Sequence, residues 1–285
     1  MTLLAADEPA PYEVLRPQGN TSVILTCEHA GVAVPRQLDN LGLGPDDYKC
    51  HYAVDIGVRD VTHYLSELLD APAILGNYSR LVVDLNRDVD HPTTFATTGD
   101  DKIVLGNLDL SEQDKTKRLT EIYHPYQKAL AAMLDRAQAA GGVPLVVSVH
   151  SYTPVFFNFR RPWEIAFMYA ADDRLSLSLM ARFRARGYQV GDNEPYDHRI
   201  LKGGAINRHA GVRRLPCTLV EFRNDLISNK KDAFFWAKLL ADDLQEILAE
   251  RTVCTYYDGL QLPYDPEKER TYFADLVERA KRGEP

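Results

Sequence analysis

Cysteine is scarce. Cys27, Cys50, Cys217 and Cys254 are the only four in 285 residues and include no Cys-x-x-Cys pair; this excludes a disulfide scaffold, and all four read as reduced thiols. Positive charge is also in deficit. Against 41 Asp and Glu stand 33 Lys and Arg, for a net charge of −8, which argues against bulk binding to DNA, RNA or an anionic membrane. The first residues, MTLLAADEPAPYEVL, carry acids and prolines where a secretory leader needs a basic and then an apolar segment, so a cytoplasmic protein is expected. The longest stretch without Asp, Glu, Lys or Arg, Ala137 to Phe159, holds Gly141, Gly142, Pro144, His150, Pro154 and Asn158, so it reads as loop, buried strand and loop rather than a membrane span. Neither Gly-x-Gly-x-x-Gly nor Gly-x4-Gly-Lys-Ser/Thr occurs, which removes the common nucleotide-binding loops.

With 45% hydrophobic residues the chain can build a substantial core. Short apolar runs rich in β-branched residues recur at Ser22–Thr26, Ala73–Leu75, Leu81–Leu85, Leu145–Val149, Ile165–Tyr169 and Cys217–Val220. Runs that are apolar throughout predict strands buried on both faces of a mostly parallel sheet. Between them, helices are predicted over Ile56–Leu69, from Ser111 to about Ala140, over Leu175–Arg186 and over Ala233–Glu250. This alternation predicts an α/β layered fold with helices on both sides. No repeat, low-complexity tract or Gly/Ser linker divides the chain, so one domain over residues 1–285 is expected, with its core at about 20–250 and a peripheral extension at 251–285. The long polar segment Asp88–Asn107 reads as a loop of functional type. The charged tail after Leu262 reads as a peripheral helix with little chemistry.

In such a sheet the ligand site lies beyond the carboxyl ends of the strands. The residues there are Cys27-Glu28-His29, Asn86-Arg87, His150-Ser151 and Glu221-Phe222-Arg223. Two histidines and a carboxylate, with a second carboxylate to spare, match a hydrolytic zinc site: three ligands, an open position and a general base. A single strand-end histidine more often caps a neighbouring backbone group; two at separate strand ends weigh toward metal. His29 and His150 are the histidine ligands, and the third ligand is Asp55 or, as the alternative, Glu28. Adjacent extended residues point to opposite sides, which favours Asp55 over Glu28. Asp55 also suits the N-cap of the helix that follows, and His51 suits either a supporting partner or the surface. Arg80, Asn86 and Arg87 form a cluster suited to carboxylate, although either arginine alone also fits an ordinary ion pair.

Taken in order, Cys27-Glu28-His29-Ala30-Gly31, Ala53-Val54-Asp55-Ile56-Gly57, Tyr78-Ser79-Arg80 through Asp84-Leu85-Asn86-Arg87, Val149-His150-Ser151, Arg161-Pro162-Trp163, Gly191-Asp192-Asn193-Glu194-Pro195-Tyr196 and Val220-Glu221-Phe222-Arg223-Asn224-Asp225 resemble the N-formylglutamate amidohydrolase family. The resemblance runs from about Ser22 to about Leu248. It implies a three-layer α/β/α fold with a mixed, mostly parallel central sheet, similar to zinc carboxypeptidases and aspartoacylase. It also implies a metal-dependent hydrolase that removes a small acyl group, formyl first, from an acidic amino acid. Relatives in that wider fold use His-x-x-Glu, whereas Val32 stands three residues beyond His29, so the third ligand stays open between Asp55 and Glu28.

The mechanism this implies has one Zn2+ per chain, with Mn, Co and Fe as other candidates, held by His29, Asp55 and His150. Glu221 is the general base, Arg80 assists the oxyanion, and Asn86, Arg87 and Arg223 bind substrate carboxylate; Arg223 equally suits an ion pair with Asp225 or Asp192. Tyr196 and His209 lie on a glycine-bearing stretch suited to a lid. Ser151 and Tyr152 suit the pocket wall, and no nucleophile elbow surrounds Ser151. Trp163 and Phe156–Phe159 read as core or wall. The expected partner is a small anionic N-acylamino acid, with no nucleic acid and no membrane, for a monomer or homodimer. The competing readings are a related N-acylamino-acid deacylase or carboxypeptidase-like hydrolase, and a non-catalytic acidic-metabolite binding module.

Overall fold

The computed structural model describes residues 2–100, 102–201 and 203–285. Seven strands form the central sheet: β1 (Tyr12–Leu15), β2 (Val23–Cys27), β3 (Ala73–Gly76), β4 (Leu145–Tyr152), β5 (Ile165–Met168), β6 (Val190–Asp192) and β7 (Cys217–Arg223). Their spatial order is β1-β3-β2-β4-β7-β5-β6. The inner four, β3, β2, β4 and β7, run parallel. β1 is antiparallel to β3, and β5 is antiparallel to β7 with β6 parallel to it. β2 and β3 are buried at every position, as a strand covered on both faces must be.

Helices cover both faces, giving three layers. Val23, Leu25 and Cys27 of β2 and Val147 and Val149 of β4 pack with α1 (Val58–Leu69), α4 (Arg174–Ala185) and α5 (Lys230–Glu250). Ile24 and Val146 point the other way, toward Tyr126, Leu130 and Leu134 of α3 (His124–Ala139). α3 continues from α2 (Glu112–Arg118) through one π-helical turn, so the long helix expected after Ser111 is interrupted. Ser111 does cap α2, its hydroxyl accepting from the Asp114 amide. The last helix is α6 (Pro266–Lys281).

The expected strand at Leu81–Leu85 is not one. These residues form a buried turn-rich segment beneath the α3 face, whose carbonyls are satisfied by side chains instead of a neighbouring strand. Asn107 Nδ2 donates to Leu81 O, and the fully buried Arg118 donates to Val82 O and Asn107 Oδ1. The largely apolar run reported burial correctly, but burial does not require a strand. β1 and β6 were not expected; β1 is half-buried and β6 spans only three residues. All four cysteines are free thiols. Among the described residues no helix is long and apolar enough to cross a membrane.

Candidate metal centre and active site

β4 and β7 lie side by side with His150 opposite Glu221. The two side chains therefore leave the sheet on the same face, at its carboxyl edge. β2 ends at Cys27, so the chain is free to turn and bring His29 toward His150; their rings meet edge-on with centroids 4.8 Å apart. Asp55 arrives from the loop before α1, its amide bonded to His29 O. Gly57 makes this approach possible: its φ is +83°, and a Cβ there would lie 2.2 Å from Ile227 O. Gly57, not Asp55, occupies the N-cap of α1, which leaves the Asp55 carboxylate free for the site.

The three donors converge. Asp55 Oδ2 lies 2.9 Å from His150 Nδ1 and 3.4 Å from His29 Nδ1, and one ligand atom from each residue lies within 4.8 Å of the others. All three residues are at most 3% exposed. His29 Nδ1 is buried with no hydrogen-bond partner, an expensive state for a polar atom unless something binds it. The far nitrogens face carboxylates: His29 Nε2 is 2.8 Å from Asp84 Oδ1, and His150 Nε2 is 3.1 Å from Glu28 Oε2. This carboxylate-histidine pairing fixes tautomer and ring orientation in metal sites. The donor set, the orphaned nitrogen and the backing carboxylates together fit a divalent metal ion.

Glu28 lies behind His150, outside the set of converging ligand atoms. Its carboxylate also accepts from Ser148 Oγ and Tyr126 OH, which hold it behind His150 because it shares the face parity of Ser148 and His150. Burial works against its ionisation, but the His150 hydrogen bond and charge bring its pKa down to about 2. Burial likewise opposes charging His150, yet hydrogen bonds to Asp55 and Glu28 lift it to about 10. Without metal, His150 is thus a cation between two carboxylates. Asp84 and Asp55, buried beside His29 and other cationic groups, stay well below the usual carboxylate range despite burial.

A cavity of about 140 Å³ opens over this centre and is lined by His29, Asp55 and His150 together with Arg80, Asn86, Arg87, Ser151, Tyr196 and Glu221. Arg80 is committed: its guanidinium reaches Asp55 Oδ1 at 3.3 Å and Asp84 Oδ2 at 3.1 Å. Buried polar atoms without hydrogen-bond partners include Asn86 Oδ1, Arg87 Nε and Glu221 Oε2. Burial pushes the Glu221 carboxyl up to about 8, against the opposing charge of His150. Larger hollows beside α1 and over residues 89–119 do not contain this convergence of groups.

Two expected substrate contacts lie elsewhere. Arg223 donates to Asp225 Oδ1 and Trp163 O, the ion pair that its sequence neighbours offered. His209 sits in a π-helical segment at 2.7 Å from Gln127 Oε1, packed toward α3. Tyr152 is core, its hydroxyl donating to Trp163 O. Conversely, His198, Leu201, Leu219 and Phe273 line the cavity without having been anticipated; His51, read from the sequence as a supporting partner or a surface residue, lines it as well, its Nδ1 3.6 Å from Asp55 Oδ1. His198 follows the Glu194-Pro195-Tyr196 motif by two residues, and that proximity was the one sequence signal available. Phe273 lies on α6, so the tail is not chemically idle.

These shifts predict a stability maximum for the chelator-treated protein near pH 6.5. Burial lowers His198 to about 3 and His209 to about 4, whereas an unfolded histidine titrates near 6.5. Below that value the unfolded chain binds more protons, so stability falls by up to about 1.4 kcal/mol per pH unit for each histidine. His150 has the opposite sign: its contribution is complete below about 6.5 and is lost as pH rises toward 10. Urea midpoints at acidic, near-neutral and alkaline pH should therefore peak in the middle, and a monotonic trend would contradict the assignments.

The family model described as N-formylglutamate amidohydrolase matches residues 21–228. An N-formylglutamate deformylase of Pseudomonas aeruginosa is 32% identical over 162 residues, covering 51% of this chain and 59% of that protein, under two thirds of its length. A protein of the same name from Pseudomonas putida is 26% identical over 200 residues, covering 64% of this chain and 73% of the relative. The crystal structure of a gene product from Agrobacterium tumefaciens superposes with a TM-score of 0.83 at 29% identity, covering 87% of this chain and 99% of that one. An N-formylglutamate amidohydrolase from Ralstonia eutropha JMP134 shares the fold at a TM-score of 0.63 and 17% identity, with 84% of this chain and 99% of that one covered. The matched segment contains the whole set from His29 to Glu221, and the chain belongs to the N-formylglutamate amidohydrolase family.

Proposed function

We propose that this chain is a metal-dependent amide hydrolase that converts N-formyl-L-glutamate and water into formate and L-glutamate, with His29, Asp55 and His150 holding one divalent ion, Zn2+ first. The observation that carries this reading is the convergence of three buried ligand atoms beside Glu221 Oε2 and Arg87 Nε, both buried without a hydrogen-bond partner among the described residues. Two neutral nitrogens and one carboxylate oxygen suit zinc, and the family membership supports the substrate class. When bound, such an ion supplies Lewis acidity and eases deprotonation of water.

The chain's own residues supply the rest. Glu221 Oε2 accepts the proton of the attacking water and returns it to the amide nitrogen as the C–N bond breaks, so that glutamate leaves as an amine. Its burial makes the carboxylate a stronger base than in water. Arg80, fixed by Asp55 and Asp84, presents positive charge where the carbonyl oxygen becomes anionic. Arg87 and Asn86 bind substrate carboxylate; Gly204, with φ +71° and its missing Cβ 2.2 Å from Asn86 Oδ1, leaves room for Asn86. A basic pocket offsets the net charge of −8, which otherwise disfavours an anionic ligand.

Release of formate from N-formyl-L-glutamate, followed by a coupled formate dehydrogenase, tests the reading. Wild type should turn over, and Arg87→Ala should raise KM by roughly 10- to 100-fold with a smaller change in kcat, as expected for one charge-assisted contact. No formate from the zinc-loaded protein would refute the assignment.

A further inference from the structure

The family match ends at residue 228, yet the cavity is completed by a residue far beyond it. Phe273, in the middle of α6, lines the same cavity as His150, Arg87 and Glu221. It is half-buried, so it stands between the cavity and solvent. α6 reaches this place through three separate anchors, each on a loop or ribbon at the site's edge of the sheet. Tyr272 OH accepts from the Asp197 amide and donates to Pro195 O, which clamps the loop carrying Tyr196 and His198. The buried Glu269 carboxylate lies 3.2 Å from His91 Nε2, in the loop after Arg87. Asn158, in the ribbon of Val155–Phe156 and Phe159–Arg160, donates from its side chain to Lys281 O and from its amide to Ala280 O.

A solvated helix on a protein surface does not need three polar anchors to segments that continue from the loops and strand carrying Tyr196, Arg87 and His150. We propose that α6 is the outer wall of the substrate pocket and that Phe273 sets its length limit, so that the enzyme accepts a free N-acyl amino acid and rejects the same residue carrying a further peptide unit. This deepens the proposed deformylase reading and rests on it for the identity of the substrate. An aromatic ring in the wall of a cavity of about 140 Å³ limits the room for a chain continuing past the amino acid's carboxylate. Pocket walls discriminate by steric exclusion on this scale, with single methylene differences worth roughly 10- to 200-fold.

The test compares Phe273→Ala with wild type, both zinc-loaded, on two readouts. The ratio of kcat/KM for N-formyl-glutamyl-alanine to that for N-formyl-glutamate should rise at least tenfold in the variant. Independently of any substrate, carbethoxylation of His51 and His198 by diethyl pyrocarbonate, mapped by peptide mass spectrometry, should be several-fold faster in the variant because the mouth is open. Circular dichroism spectra and melting curves of the two proteins exclude unfolding as the cause, and Phe273→Leu should restore part of the protection. Faster modification in a protein that hydrolyses neither compound would uphold the wall and overturn the deformylase assignment. An unchanged selectivity ratio in an active enzyme, or equal modification rates, would overturn the role of Phe273.

Discussion

Glu221→Gln should cost roughly 10³- to 10⁴-fold in kcat while leaving metal content at about one ion per chain. The amide is nearly isosteric with the carboxylate, so the neighbouring His150 and the register of β4 with β7 should be undisturbed. What disappears is one atom able to take and return a proton. Glu221 Oε2 has no hydrogen-bond partner among the described residues, so the fold should melt as wild type does. The acidic limb of the kcat/KM profile, which reports this base in the free enzyme, should vanish with the activity. A variant within about tenfold of wild type would remove Glu221 from the mechanism. Loss of the metal would show that it is a ligand instead. A non-catalytic binding module has no turnover to lose, so the same pair of assays separates that reading from the hydrolase.

His150→Ala should have the larger effect on the molecule as a whole. In the metal-free chain Asp55 on one side and Glu28 on the other raise the pKa of His150 to about 10 against its burial, which keeps it a cation at neutral pH. Removing it leaves Glu28, 1% exposed, without the cation that compensated it, and Asp55, 3% exposed, with Arg80 as its remaining partner. Breaking a buried pair in this way costs roughly 3–5 kcal/mol, so the urea midpoint of the chelated variant should drop sharply. Zinc should no longer be retained, and formate release should fall to background. Glu28→Gln is the informative companion: it keeps the ligand atoms but removes the carboxylate behind His150, and a 10- to 100-fold weaker metal affinity is expected. An unchanged midpoint in His150→Ala would mean that the carboxylates are neutralised by other groups.

The parts of the site carried by regular structure were legible. Leu145–Val149 and Cys217–Val220 are mostly apolar and buried at every position, which marked them as inner strands, so that His150 and Glu221, at or just beyond their ends, were expected together at one edge of the sheet. Asp55 was preferred to Glu28 because adjacent extended residues point to opposite sides. Glu28 was harder: its place depends on Tyr126, 98 residues away in α3, and no local pattern records that. Leu81–Leu85 misled because a run buried beneath a sheet and a run buried within one look alike; only Asn107 and Arg118, which satisfy its carbonyls, distinguish them. Arg223 was chosen because it follows Glu221 by two residues and His209 because it lies on a glycine-bearing stretch; the one pairs with Asp225 and the other with Gln127. α6 was underread because Glu269, Leu276 and Ala280 are its buried residues, too few to announce a packed helix. Its importance comes from where it docks.

The most direct measurement is activity against metal occupancy. Protein stripped with a chelator and dialysed should contain no zinc by plasma mass spectrometry and release no formate from N-formyl-L-glutamate; adding zinc should restore both together, saturating at about one ion per chain. Full activity in the metal-free protein, or zinc bound with no return of activity, would contradict the account.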